Sequence, residues 1–238
     1  MPKLVVQKPM SLMSLIPKGA EVTIGLIVFC CIAYFGQVAS QQLLTNWAIL
    51  FEPGVARGEW WRVVSSAFVH GGALHLLVNM VLLYALGQQL ERIIGGVRFA
   101  LLYIGSIATA SLAVFAFSAN QPTLGASGAV MGVAVGFALI LMLYGQGNRH
   151  QSLLMLVAMN LVLPLVLPGI SFWGHFGGAV GGLLMVSVLF IWPQQVRKRQ
   201  INEKSIYEAE RFPMAKPSLV ASVVLVVVLL VASVVFAQ

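Results

Sequence analysis

A serine framed by glycines, Gly125-Ala126-Ser127-Gly128-Ala129-Val130-Met131-Gly132, opens a long apolar stretch, and a lone histidine keeps similar company further on, in Gly174-His175-Phe176-Gly177-Gly178. A serine hydroxyl becomes a nucleophile when an adjacent base takes its proton, and histidine is the side chain most often used for that. Small residues let two membrane helices bring their backbones close together. Gly128, Gly132 and Gly136 make a ridge at spacing four behind Ser127; Gly174, Gly178 and Gly182 make a matching ridge around His175, widened by Gly177 and Gly181. Such ridges alone imply only helix association. That each carries one reactive group points to a serine hydrolase buried in a bilayer, with Ser127 and His175 at similar depth.

Other polar side chains stand in apolar surroundings. His70, His75 and Asn79 fall in His70-Gly71-Gly72-Ala73-Leu74-His75-Leu76-Leu77-Val78-Asn79. His75 and Asn79 share a helical face, and two donors on one face suit an oxyanion; the plainer role is interhelical hydrogen bonding. His70 reads as a structural or loop-bonding group. Arg62, beside Trp61, reads as an anchor to headgroups or to loop carbonyls. Glu91 and Arg92 read as a helix-end ion pair or loop anchor, His150 as a solvated group in a short turn, and Asn160 as interhelical glue. Cys30 and Cys31, adjacent in an apolar run and without a ligand cluster, read as packing groups, so neither a metal nor a cofactor is expected.

The elements that position these groups follow from composition. The 238 residues are 59% hydrophobic and 9% charged, with a mean hydropathy of +0.93, against roughly a quarter charged in a soluble domain. The chain is therefore expected to be an all-α polytopic membrane protein. Seven apolar runs are long enough for a hydrocarbon core of roughly 30 Å: 22–39, 70–90, 97–117, 126–144, 151–168, 172–192 and 218–236. Each should be helical, because lipid offers the backbone no hydrogen bonds.

Twelve of the fourteen lysines and arginines fall on one side if the N-terminus is inside, and only Arg57 and Arg62 fall outside. The positive-inside rule then sets the N-terminus in the cytosol and the C-terminus outside. The net charge of +7 marks that sidedness and forms no single patch, so no nucleic-acid partner is expected. The domain reading is a cytosolic segment 1–21 and a six-helix core 22–192. A basic linker 193–217 and a seventh helix 218–236 follow. Lys3, Lys8 and Lys18 precede a first apolar run without a convincing cleavage site, which reads as a retained signal anchor. The 40–69 loop, with Trp47, Phe51, Trp60, Trp61 and Phe68, is expected to lie partly in the outer leaflet. The linker, with Arg197-Lys198-Arg199, reads as solvated and attracted to anionic lipid.

Together the motifs resemble the rhomboid family of intramembrane serine proteases. The resemblance runs from about Trp61 to Gly182 and rests on Trp61-Arg62, His70/His75/Asn79, Gly125-Ala126-Ser127-Gly128 and His175-Phe176-Gly177-Gly178. It implies a six-helix core with an added C-terminal helix. Ser127 would be the nucleophile and His175 the general base and then acid. Asn79, His75 and the Ser127 backbone N–H would hold the oxyanion, with Gly125 shaping the loop. Trp61 and Arg62 would belong to the family's outer loop, and Gly128, Gly132, Gly178 and Gly182 would support the helix contact. Met131 departs from the aromatic often found there, which implies a less rigid histidine.

All seven acids are glutamates, and none lies in the outer half of a span. A serine triad orients its histidine with a buried acid, so a dyad is expected, and a slow enzyme. Water must reach it, which implies a cavity open to the outer phase and sealed towards the cytosol. The substrate implied is the transmembrane segment of another membrane protein, entering from lipid and cleaved near the outer face. The compact chain suits a bacterial inner membrane. The alternatives are an inactive rhomboid-like binder or escort of membrane segments, and another membrane serine hydrolase.

Overall fold

The computed structural model describes residues 19–118, 121–143, 149–191 and 216–237. The fold is helical: α1 Glu21–Ala39, α2 Leu43–Ala48, α3 Glu52–Ala56, α4 Arg62–Ser65, α5 Ala73–Leu82, α6 Gln88–Ile94, α7 Gly96–Phe117, α8 Ser127–Leu143, α9 Arg149–Val166, α10 Phe172–Val186 and α11 Lys216–Phe236. Among the described residues, five stretches are long and apolar enough to cross a membrane: Glu21–Ala39, Ala73–Ile94, Gly96–Phe117, Phe172–Phe190 and Leu219–Phe236. Ser127–Leu143 and His150–Val166 are apolar but shorter. Among the described residues the one extended pairing outside helices is the antiparallel bridge Leu50–Thr123.

The second expected span differs from the pattern in two ways. It begins at Ala73 rather than at residue 70, because Gly71-Gly72 interrupts the chain and the His70 backbone is already committed elsewhere. The side-chain amide of Gln37 on α1 accepts from His70 N–H at 2.9 Å and donates to His70 C=O at 3.0 Å. The span also loosens into a wide π turn, Leu83–Gly87, between α5 and α6. It ends at Gly95, whose φ of +85° is open to glycine and strained for other residues.

α7 is the central post. Within its apolar stretch 67% is buried, against 17% for α1 and for α11. α8 and α10 pack on α7 and on each other. α11 lies along α7, where Ser233 Oγ donates to Ala108 C=O at 3.0 Å. His150 departs from its expected place in a solvated turn. It lies in the first turn of α9, half-buried, with Nδ1 shielded and without a hydrogen-bond partner. Residues 1–18 and 192–215, and with them most of the N-terminal segment and the basic linker, lie outside the described residues.

The loop between α1 and α5 is built rather than loose. Buried Arg62 donates through one guanidinium nitrogen to the carbonyls of Asn46 at 2.7 Å and Ile49 at 3.0 Å, and through Nε to Glu59. It therefore binds loop carbonyls, one of the two roles open to it. Trp61 Nε1 donates to Trp47 C=O at 3.2 Å, and the two rings stack at 5.4 Å. Beneath them Leu50, Val55 and Val63 pack with Val114, Phe115 and Ala237, which ties the loop to α7 and to the end of α11.

At the opposite end, Glu91 resolves between its two roles as an anchor. Its carboxylate, 1% exposed, accepts from Val22 N–H at 2.9 Å, Thr23 N–H at 2.8 Å and Thr23 Oγ at 2.7 Å. It thus caps the N-terminus of α1 from another helix, satisfying orphan donors and meeting the positive end of the helix dipole. Arg92 is exposed and bonds Gln88 instead. Glu91→Ala should therefore lower stability by about 1–3 kcal/mol, while Arg92→Ala should stay within about 0.5 kcal/mol of wild type. Thermal unfolding in detergent reads both.

Candidate active site

Ser127 owes its position to the chain just before it. The Leu50–Thr123 bridge, with N–H···O distances of 3.0 Å both ways, pins the approach. Gly125 N–H donates to Ser66 C=O at 2.9 Å. Its φ of +113° lies where side chains are strained, and an added Cβ would sit 2.7 Å from His75 Cε1, so only glycine admits this turn against the imidazole. Ala126 N–H points at His70 Nε2 at 3.4 Å. Ser127 then opens α8, where its N–H has no preceding turn to bond and is free for an incoming anion.

His175 lies in the first turn of α10. Ser171 caps that helix, with Oγ accepting from Gly174 N–H at 3.1 Å and C=O accepting from His175 N–H at 3.1 Å. Trp173 stacks on Phe117 of α7 at 4.3 Å, fixing the same end of the helix. The imidazole is 4% exposed, and Nδ1 is 2.8 Å from the main-chain oxygen of Asn160. A carbonyl only accepts, so Nδ1 carries the proton and Nε2 presents its lone pair.

The glycine ridges of α8 and α10 meet at very short range. A Cβ on Gly178 would overlap the Gly128 carbonyl, one on Gly182 the Gly132 carbonyl, and one on Gly128 would lie 3.0 Å from Gly174 O. α8 and α10 therefore touch backbone to backbone beside Ser127 and His175. α7 joins them through Ser106, Thr109 and Ala110, which abut Gly132, Gly181 and Gly128.

Ser127, His175, His75, Asn79, Met131 and Asn160 line one cavity of about 110 Å³ together with apolar side chains such as Val78, Leu82 and Val130. That is space for a few waters, each occupying about 30 Å³. Asn79 is buried, and its Nδ2 donates to His75 C=O at 2.8 Å within α5. His75 Nδ1 lies 3.4 Å from Gly71 N–H, which leaves Nε2 as the donor facing the Gly125 turn. Trp61 and Arg62 belong to the loop and are not among the cavity residues.

Two partners escaped the residue pattern. Gln37, fully buried, ties His70 to α1 and also donates to Thr45 Oγ1 at 2.7 Å; its signal was a lone amide in an otherwise apolar run. Asn160 was expected to bridge helices through its side chain. Instead Nδ2 bonds Leu156 C=O within α9 at 2.9 Å, and the backbone oxygen meets the imidazole. A main-chain acceptor leaves no mark in the residue type at its own position.

A family model described as Rhomboid domain matches residues 57–192. The chain belongs to the rhomboid family. It is 34% identical over 142 residues to rhomboid protease GluP of Bacillus subtilis, a match covering 57% of this chain and 27% of GluP. It is 36% identical over 140 residues to RHOMBOID-like protein 4 of Arabidopsis thaliana, covering 57% of this chain and 35% of that protein. Putative rhomboid protease YdcA of Bacillus subtilis is 31% identical over 137 residues, 56% of this chain and 68% of YdcA. The chain thus spans about a quarter to a third of the length of the first two relatives. Every residue of the candidate site falls within the matched segment, and α11 lies beyond it.

The backbone contact gives a sharp test of packing. Gly178→Ala pushes a methyl into the Gly128 carbonyl and should cost about 1–3 kcal/mol or more, with loss of any serine reactivity that depends on His175. Gly25→Ala, whose methyl meets nothing within 4 Å, should leave the unfolding midpoint unchanged or slightly raised. Thermal unfolding of the two variants in one detergent compares them.

Proposed function

We propose that this chain is an intramembrane serine endopeptidase that hydrolyses peptide bonds in the transmembrane segments of other membrane proteins. The observation that carries the reading is one cavity with room for a few waters, inside a helical bundle, lined by Ser127, His175, His75 and Asn79. Ser127 Oγ attacks the scissile carbonyl while His175 Nε2 takes its proton. The oxyanion is received by the Ser127 N–H, His75 Nε2–H and Asn79 Nδ2–H, the last turning from its bond within α5. The imidazolium then protonates the leaving amine, and water, activated by the same histidine, releases the acyl group. Several relatives, among them rhomboid protease GluP and Rhomboid-type serine protease 2 of Emericella nidulans, carry names of the same kind.

The sequence contains no aspartate, and among the described residues no glutamate lines the cavity beside His175, which supports a Ser127–His175 dyad and slow turnover. Met131, one turn after Ser127, contributes a flexible thioether to the cavity wall. The charge distribution supports an N-terminus in the cytosol, a C-terminus outside and a site that opens outward. A bacterial inner membrane fits that sidedness, and residues 22–192 form the catalytic unit on this reading. Substrate helices enter from the lipid, with cleavage near the outer face.

The test is cleavage of a tagged single-span protein by purified enzyme in liposomes. Wild type should release the tag, and Ser127→Ala and His175→Ala should each fall by a factor of about 10³ or more while remaining folded. Cleavage that persists in Ser127→Ala contradicts the mechanism.

A further inference from the structure

The contact between His175 and Asn160 has a cause four residues further along α9. In an α-helix the carbonyl of residue i accepts from the N–H of residue i+4. For Asn160 that residue is Pro164, which lies inside α9 and has no N–H to give. The Asn160 oxygen is thereby deprived of its helical donor at the wall of the cavity, and the His175 Nδ1 stands 2.8 Å from it. The Asn160 side chain does not compete, because its Nδ2 is committed to Leu156 C=O at 2.9 Å. α9 and α10 are separate elements joined by a short turn around Gly169, so this hydrogen bond is a tertiary one that α9 offers to the base.

We propose that Pro164 is a positioning residue for the dyad. By withholding an N–H from Asn160, it gives the catalytic imidazole the fixed acceptor that a buried carboxylate gives in a triad. The proposal rests on the Ser127–His175 reading. The acceptor holds the proton on Nδ1 and aims the Nε2 lone pair towards the Ser127 hydroxyl. During attack the Oγ proton moves to Nε2 as the Oγ–C bond forms. The Nδ1 proton stays on the ring and its bond to the carbonyl strengthens as the ring becomes cationic. When the C–N bond breaks, the Nε2 proton leaves with the amine and the imidazole returns to its starting tautomer. A neutral carbonyl orients as a carboxylate does but brings no full negative charge.

Three chains test this: wild type, Pro164→Ala, and a chain carrying at position 164 the hydroxy-acid analogue of alanine, introduced by nonsense suppression. Alanine restores the N–H; the ester removes both the N–H and the proline ring. Pro164→Ala should have kcat reduced on the order of 10-fold or more with KM little changed, because the tautomer and aim of the base are disturbed. Its thermal stability should hold or rise, since the helix regains a hydrogen bond. The ester should recover most of the wild-type kcat. A merely structural proline predicts the opposite pairing, a loss of stability with activity following it.

An activity-independent readout is ¹⁵N NMR of the imidazoles. The chain has four histidines, and the His175 signal is assigned by its disappearance in His175→Gln. Wild type and the ester should show a single Nδ1–H tautomer, and Pro164→Ala a shift towards a mixture. An Nε2–H tautomer in the wild type overturns the proposal, whether or not the alanine variant folds. So does unchanged kcat and tautomer in Pro164→Ala. Failure of the protease reading is distinct: wild type would then cleave no substrate while the NMR signature stood.

Discussion

The site depends on the contact of two polypeptide backbones. α8 and α10 approach so closely that a single methyl on Gly178 or Gly182 would collide with a carbonyl of the facing helix. Lipid supplies no hydrophobic force to press helices together, so association rests on packing and on hydrogen bonds. Glycine ridges permit that packing at the shortest range, and Ser127 and His175 project from the ends of the two surfaces they form. Positioning by backbone contact is stiff, because no side chain intervenes that could change rotamer.

Such a contact fixes the helices, while the polar ends of the helices need their own support. α8 starts at Ser127 because Gly125 turns against His75, Ala126 N–H faces His70, and Thr123 pairs with Leu50 of the loop. His70 is in turn held by Gln37 from α1. The turn that leads into Ser127 is therefore braced by the loop and by the first span. At the other end of that span Glu91 caps α1. Each of these bonds engages a backbone group that lipid would leave unsatisfied, so the cost of burying such groups becomes the means of ordering the site.

Much of this arrangement was legible in the residues, and the limits are physical. Ser127, His175 and their ridges stand out in the sequence because glycine spacing along a helix is periodic and an ionisable histidine is rare in an apolar run. His75 and Asn79 stand out in the sequence as two donors on one helical face, and both line the cavity. Hydropathy carries the start of the second span three residues beyond the N-terminus of α5, since the Gly71-Gly72 interruption and the amide clamp from Gln37 leave no hydropathy signature. The π turn at Leu83–Gly87 is equally silent in an apolar run. The capping role of Glu91 depends on a partner almost seventy residues away, at Val22 and Thr23. His150 stands next to Arg149 and reads as solvated, but the helix begins early enough to half-bury it. The carbonyl of Asn160 was invisible at its own position, and only the missing N–H of Pro164 marks it.

The central claim is that Ser127 is a nucleophile made reactive by His175. Its most direct measurement is site mapping by mass spectrometry after treating the purified protein in detergent with a fluorophosphonate. The expected result is one adduct, on Ser127, formed much more slowly when His175 is replaced by alanine. An adduct on another residue, or labelling of Ser127 at the same rate without His175, would contradict it.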